Sequence, residues 1–168
     1  MIKSEGVKGP RSYSTNELIF SNFLNFGTYT LGSIIMIYLG LFFLLVYVIF
    51  CALAILMFLK FICSYCPSYG KSRCPSGYGR LSARLFSRGD PRKFSKMFKL
   101  YIPVLSIIWF LPLISAIYLL LDKYDLILTI ILILFIIIGF VALPYYSRVH
   151  SCKKCPNRKK CPWRETPR

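Results

Sequence analysis

Six of the seven cysteines in this chain fall into two groups of three that are spaced like metal-binding or redox-active thiols. The patterns are Cys-x2-Cys-Pro-x6-Cys-Pro and Cys-x2-Cys-Pro-x4-Cys-Pro. The first triad consists of Cys63, Cys66 and Cys74, and the second consists of Cys152, Cys155 and Cys161. A Cys-x2-Cys pair supplies two thiolates from one tight turn, which suits zinc and iron–sulfur sites alike. We therefore predict that both triads bind metal.

The two triads differ in their supply of a fourth ligand. His150 stands two residues before the second triad, so this C-terminal tail holds a complete Cys3His set that can close a tetrahedral zinc site. The first triad has no such neighbour. Either one triad lends a ligand to the other, or the first holds an iron–sulfur cluster with one unusual or open iron.

The identity of the metal stays open at this stage. Four of the six cysteines precede proline, as cluster-ligating cysteines do in bacterial ferredoxins, but neither triad has the full ferredoxin spacing. Zinc sites use Cys-x2-Cys pairs equally often. A third interpretation is a set of redox-switching thiols without metal. Cys51, the remaining cysteine, is expected to be a small packing residue.

The elements that carry these thiols are predicted to lie in a membrane. The chain has 168 residues and is 56% hydrophobic, yet it carries 22 Lys plus Arg against 6 Asp plus Glu. Three long uncharged stretches, 31–59, 100–121 and 126–144, are each long enough for about 20 helical residues to cross a bilayer. The first exceeds one span, so it must tilt, bend near Gly40 or project from the membrane; we take it as one long helix.

The other two stretches are predicted to form a helical hairpin, because only residues 122–125 separate them. Pro103 and Pro112 interrupt the first helix of this pair, which a membrane helix tolerates when neighbours bind the freed carbonyl groups. The predicted fold class is an all-α integral membrane protein with three transmembrane helices, one long helix plus a helical hairpin. Basic amphipathic helices and Cys-rich metal-binding arms lie on its cytoplasmic face.

The distribution of Lys and Arg predicts the orientation, since short cationic loops stay in the cytoplasm. Residues 60–99 contain ten and residues 148–168 contain eight. The predicted regions are an outer segment, a first span, a cytoplasmic loop, the hairpin and a cytoplasmic tail, at residues 1–30, 31–62, 63–99, 100–144 and 145–168. A capping box at Ser14 and Glu17 begins either an outer interfacial helix or the frayed start of the first span.

Two basic amphipathic helices are predicted in the cytoplasmic loop. The first places leucines 81 and 85 and arginines 80, 84 and 88 on separate faces and ends at Gly89. The second starts with Asp90 as N-cap and Pro91, and it carries apolar residues at helical spacing: Phe94, Met97, Phe98 and Tyr101. Such helices bind anionic lipid headgroups, although a solvated face that only sets topology is the alternative.

Nucleic acid is not expected as a partner, because the membrane already accounts for the cations. The predicted spans contain no Asp, Glu, Lys, Arg or His, which argues against a transporter, and no acid–base pair or nucleophile triad is visible. The main hypothesis is an electron-transfer or anchor subunit of a larger membrane assembly, with one or two metal centres and no enzymatic activity alone. The alternatives are a zinc-stabilised scaffold that recruits a partner or anionic lipid, and a cytosolic thiol redox sensor.

Overall fold

The computed structural model describes residues 14–71, 74 and 76–151, and in these ranges the chain is helical without strands. The α-helices are α1 (Thr15–Leu39), α2 (Leu41–Met57), α3 (Tyr78–Leu85), α4 (Phe94–Asp122), α5 (Leu126–Ile136) and α6 (Leu143–Tyr146). π-Helical turns extend α2 through Phe58–Cys63, join α5 to α6 through Ile137–Ala142, and follow α6 over Ser147–Ser151. A 3-10 turn, Pro91–Lys93, leads into α4. The all-α prediction is confirmed for the described residues.

Three helical segments are long and apolar enough to cross a membrane: Leu41–Cys63, Pro91–Asp122 and Leu126–His150. The last two contain the predicted hairpin, and its turn lies where the polar residues 122–125 placed it. Asp125 caps the second helix by accepting hydrogen bonds from the backbone N–H groups of Ile127 and Leu128. The described residues therefore contain three helices that could span a membrane, and the last two of them form the predicted hairpin.

The prediction of one long first helix is wrong. The chain reverses at Gly40, whose φ of 121° and ψ of 161° lie where side-chain-bearing residues are strained. Helices α1 and α2 then run antiparallel, because Gly32 packs directly against Tyr47 on the other side of the turn. The first candidate span thus begins at Leu41 instead of residue 31. Hydropathy did not mark the turn, since the residues on both sides of it are apolar.

Helices α1 and α4 form the centre of the resulting bundle. Helix α1 contacts α2, α4 and α5, while α4 contacts α2 on one side and α5 on the other. One buried cluster joins α2 to α4 and includes Tyr47, Leu105 and Ile108. A second joins α1 and α4 to α5 through Ile35, Ala116, Leu128, Leu132 and Phe135. Each helix therefore buries one stripe and leaves the remaining apolar side chains facing outward.

Pro112 lies inside α4 at the level of this contact between helices. Proline has no N–H, so the carbonyl group of Ile108, four residues earlier, loses its partner within the helix. The hydroxyl group of Tyr47 donates a hydrogen bond to that carbonyl oxygen at 3.2 Å. A neighbouring helix thus satisfies the freed carbonyl group, as the sequence analysis required for a proline within a membrane helix.

The start of α1 lies at the same end of the bundle as the loop and the end of the last helix. The hydroxyl of Tyr146 donates to the carbonyl oxygen of Glu17 at 3.3 Å, and the rings of Phe20 and Tyr146 lie 4.9 Å apart. The side-chain amide of Asn22 donates to the carbonyl oxygen of Ser76 in the loop. The start of α1 therefore lies beside the loop and not at the opposite end of the bundle, because α1 turns back at Gly40. The side of the membrane that each segment faces stays a prediction. The predicted capping box that begins α1 is confirmed.

Candidate thiol site in the loop after α2

The first cysteine triad lies in a tightly turned loop at the end of α2. Cys63 is the last residue of the π-helical turn and is buried, whereas Cys66 and Cys74 are partly buried. Two successive turns follow, in which the N–H of Cys66 donates to the carbonyl of Cys63 and that of Tyr69 to the carbonyl of Cys66. The Cys-x2-Cys pair thus forms the compact turn that its spacing predicted.

Helix α3 is fixed to the end of α2 by a buried group of hydroxyls. In the π-helical turn, the N–H of Ser64 donates at 3.1 Å to the carbonyl oxygen of Leu59, five residues earlier. The hydroxyls of Ser64 and Ser82 donate to the same oxygen at 3.1 and 2.9 Å. All three residues are buried, and the two hydroxyls lie 3.1 Å apart. This contact closes the loop that holds the thiols.

Cys74 is held by the beginning of α3. The backbone N–H of Gly79 donates to Sγ of Cys74 at 3.3 Å. A Cβ at Gly79 would lie 2.7 Å from the carbonyl oxygen of Ser68 and 3.3 Å from Cβ of Cys74, so no larger residue fits without a shift. Gly77 precedes α3 with a positive φ of 75°, a conformation that glycine adopts without strain. The glycines here permit close approach of the backbone to a sulfur atom.

The three thiols of this loop lie near one another and near one tyrosine. Burial raises the pKa of Tyr78, and the adjacent thiols of Cys63 and Cys74 raise it further. Cys63 is within electrostatic reach of both Cys66 and Cys74. We call this set, Cys63, Cys66, Cys74 and Tyr78, the loop thiol cluster.

The predicted tail site is only partly within the described residues. His150 is exposed and stacks on the ring of Tyr146 at 4.6 Å. Cys152, Cys155 and Cys161 lie outside the described residues. Across residues 14–71, 74 and 76–151, no three His, Cys, Asp or Glu side chains form a group with metal-binding geometry. The structure therefore places the loop thiols on one folded loop without bringing them into metal-binding geometry, and the predicted Cys3His set stays a prediction.

The basic helices differ from the predicted ones in their bounds. Helix α3 ends at Leu85, before Gly89, and it buries Gly79 and Ser82 while Leu81 and Leu85 are exposed. The second predicted helix is not separate, because its residues form the first turns of α4. Its predicted N-cap is confirmed: Asp90 accepts from the backbone N–H of Arg92 at 3.0 Å, which is the main cause of a lowered pKa of this carboxyl.

The buried hydroxyls of Ser64 and Ser82 and the contact of Gly79 with Cys74 were not predicted from the sequence. A serine within an amphipathic stretch and a glycine five residues after a cysteine were the available signals, but neither specifies the partner of its hydrogen bond. Comparisons with protein-family models, curated proteins and solved structures found no match. The function must therefore be argued from the geometry of the loop and of the bundle end that carries it.

Proposed function

We propose that this protein is a membrane-embedded helical bundle that holds a thiolate-bound metal centre at its basic end. Cys63, Cys66 and Cys74 would supply three ligands, and the tail would supply the fourth. The proposal rests mainly on one observation, the loop thiol cluster, in which three thiols share one folded loop and a backbone N–H donates to the sulfur of Cys74. A metal centre would provide either electron transfer, as an iron–sulfur cluster, or rigidity, as zinc.

The chemistry around Cys74 fits a metal-bound thiolate. A thiolate ligand carries negative charge, and backbone N–H donors that point at it offset this charge and fix its position. The Gly79 N–H provides such a donor, and exposed Arg80 and Arg84 follow on α3. Because Gly79 has no side chain, its backbone N–H can approach the sulfur of Cys74 closely. Hydrogen bonds of this kind to a ligand atom orient the ligand in metal sites.

The position of the tail supports a shared site. The last described helical turn ends at Ser151, next to Cys152 in the sequence. Just before this turn, Tyr146 at the end of α6 donates a hydrogen bond to α1. Helix α1 also bonds to the loop through Asn22 and Ser76. Loop and tail are therefore attached to the same end of the same helix, which favours the tail over a distant residue as the source of the ligand that the loop lacks.

Helix α1 is proposed as a fourth membrane crossing. Its 25 residues extend about 37 Å, which exceeds a hydrocarbon core of about 30 Å. Several of its polar side chains do not oppose insertion, because they donate to carbonyl groups of their own helix: Asn25 to Ser21 at 2.8 Å and Thr28 to Leu24 at 2.9 Å. In this arrangement the loop and both termini share the cytoplasmic side, which the excess of cations favours.

The role that fits these features is an electron-transfer or anchor subunit of a larger membrane assembly. Each candidate span leaves many of its large apolar side chains exposed in the monomer, so lipid or other membrane subunits must cover them. A zinc-stabilised scaffold is the second candidate. The buried hydrogen bond from Ser82 to Leu59 favours it, because this bond already holds the loop rigidly against α2.

Anaerobic purification in detergent, followed by metal analysis and visible spectroscopy, tests the proposal. We expect a stoichiometric metal in the wild-type protein and its loss in Cys74→Ser. Cys51→Ser is the matched control, since Cys51 is buried within α2 away from the loop, and it should retain the metal. Visible absorption that bleaches with dithionite would assign iron–sulfur, and colourless protein with zinc would assign the scaffold.

Two outcomes would contradict the proposal. One is wild-type protein with only trace metal and six thiols that alkylate freely. The other is full metal retention in Cys74→Ser. Metal-free protein that forms disulfides between loop and tail under mild oxidant would favour the redox sensor instead.

A further inference from the structure

A cavity of about 250 Å³ lies at the end of α2, outside the loop thiol cluster. One wall comes from the π-helical turn and contributes Lys60, Phe61 and Tyr65, and the other comes from the segment after α3 and contributes Ser87 and Arg88. We propose that this cavity binds the phosphate headgroup of an anionic phospholipid. The proposal shares with the proposed function only the insertion of the bundle in a membrane, and it does not depend on the metal.

The two walls are held together by the protein itself. The N–H of Gly89 donates to the carbonyl oxygen of Ser64 at 3.0 Å, which ties the segment after α3 to the end of α2. Gly89 also lies directly on the ring of Tyr65, because a Cβ at that position would be 2.6 Å from the ring. These contacts fix the segment after α3 against the end of α2, so the cavity is a feature of the fold.

The positive charge of the cavity favours binding of an anion. Lys60 and Arg88 stand on opposite walls, both are exposed, and no carboxylate lines the space between them. The nearby acid, Asp90, pairs with Arg92 at 3.3 Å, and it is the one ion pair among the described residues. Nζ of Lys60 lies 5.4 Å from the ring centre of Phe61. A phosphate group between the two walls would neutralise cations that have no acidic partner among the described residues, with the Ser87 hydroxyl as a further donor.

The position of the cavity favours a lipid over a free anion. Lys60 belongs to the last turns of a candidate span, at the depth where headgroups meet the hydrocarbon. Leu56 and Leu53 precede it by four and seven residues on α2 and are about half exposed, so they lie below it on one helix face. A phosphate held by Lys60 would place an acyl chain along these leucines.

Lipid titration of the purified protein in neutral detergent tests the site. Native mass spectrometry would count bound phosphatidylglycerol and phosphatidylcholine. Each cation near a headgroup contributes about a fivefold gain in affinity, so Lys60→Gln with Arg88→Gln should weaken phosphatidylglycerol binding about 25-fold. Lys96→Gln with Lys99→Gln removes two exposed cations from the same end outside the cavity, and it should change binding less than twofold.

Several results would overturn the site. Equal weakening in both double variants would mean diffuse attraction to the basic end. Displacement of phosphatidylglycerol by millimolar inorganic phosphate would mean a small-anion site, and equal retention of phosphatidylcholine would mean no charge recognition. The charge-preserving pair Lys60→Arg with Arg88→Lys should bind phosphatidylglycerol normally, which separates lost charge from misfolding. Metal content, measured on the same samples, should be unchanged in all variants, so failure here is distinct from failure of the metal proposal.

Discussion

Replacement of Tyr47 by phenylalanine tests how the bundle tolerates a proline in its centre. The variant keeps the buried ring and removes the hydroxyl that donates to the carbonyl oxygen of Ile108. Hydrogen bonds between membrane helices average about 0.6 kcal/mol and reach about 1.7 kcal/mol. Because Pro112 leaves this carbonyl no donor within its helix, we expect a loss near the upper limit, about 1.5 kcal/mol of unfolding free energy.

A double-mutant cycle with Pro112→Ala isolates this cause. Alanine restores an N–H at position 112, so the Ile108 carbonyl regains its partner within α4 and the hydroxyl of Tyr47 becomes less important. In that background Tyr47→Phe should cost only about 0.5 kcal/mol, a coupling of about 1 kcal/mol. The hydroxyl also contacts the thiol of Cys51, but this contact is lost in both backgrounds and cancels.

The assay is unfolding in mixed micelles by titration with dodecyl sulfate, followed by far-UV circular dichroism. Tyr118→Phe serves as the control, since it removes a hydroxyl from an exposed tyrosine on α4 and should leave the midpoint unchanged. Equal losses for Tyr47→Phe with and without Pro112 would refute the reasoning, because the hydroxyl would then have no specific link to the freed carbonyl.

Three other changes test the packing, the loop and the direction of α1. Gly32→Ala places a methyl group against the hydroxyl of Tyr47 and should lower the unfolding free energy by about 1–3 kcal/mol in the same titration. Gly27→Ala is its control and should be neutral or stabilising, because nothing lies within 4 Å of the added methyl group. Ser82→Ala removes one buried bond of about 1 kcal/mol, so tryptic cleavage within α3 should become about fivefold faster; an unchanged rate would show that α3 is fixed by other contacts. Cysteines introduced at Thr15 and Lys123 should react with an impermeant thiol reagent from opposite sides of the membrane, and labelling from one side would exclude a crossing by α1.

The two turns of the bundle show what hydropathy can and cannot predict. The turn at residues 122–125 was predicted because charged residues interrupt two apolar stretches, and Asp125 then caps the following helix. The turn at Gly40 has no polar residue, and only its positive φ allows the reversal. The length of the stretch 31–59, beyond what one span needs, was the one signal of the second hairpin.

The loop shows the same limit at the level of single contacts. Cys-x2-Cys spacing correctly predicted a compact turn, because that geometry is local. The bond from Gly79 to Cys74 and the bonds on the carbonyl of Leu59 join residues from separate elements. They depend on how α3 docks through Gly79 and Ser82, which the spacing of its leucines and arginines does not specify. Tertiary contacts of this kind decide which predicted thiols share a site.

The corrected path of α1 also resolves a conflict in the distribution of charge. With the first segment outside, Lys3, Lys8 and Arg11 would oppose the loop and the tail across the membrane. Each cation gains about 1 kcal/mol at an anionic cytoplasmic surface, so this arrangement forgoes about 3 kcal/mol. When α1 crosses as a fourth helix, the cations that precede it fall on the side of the loop. The opposite side then carries Lys123 between two aspartates and the uncharged turn at Gly40. In the proposed topology Lys123 is therefore the one cation away from the side of the loop, and its charge is offset by the two aspartates of the same turn.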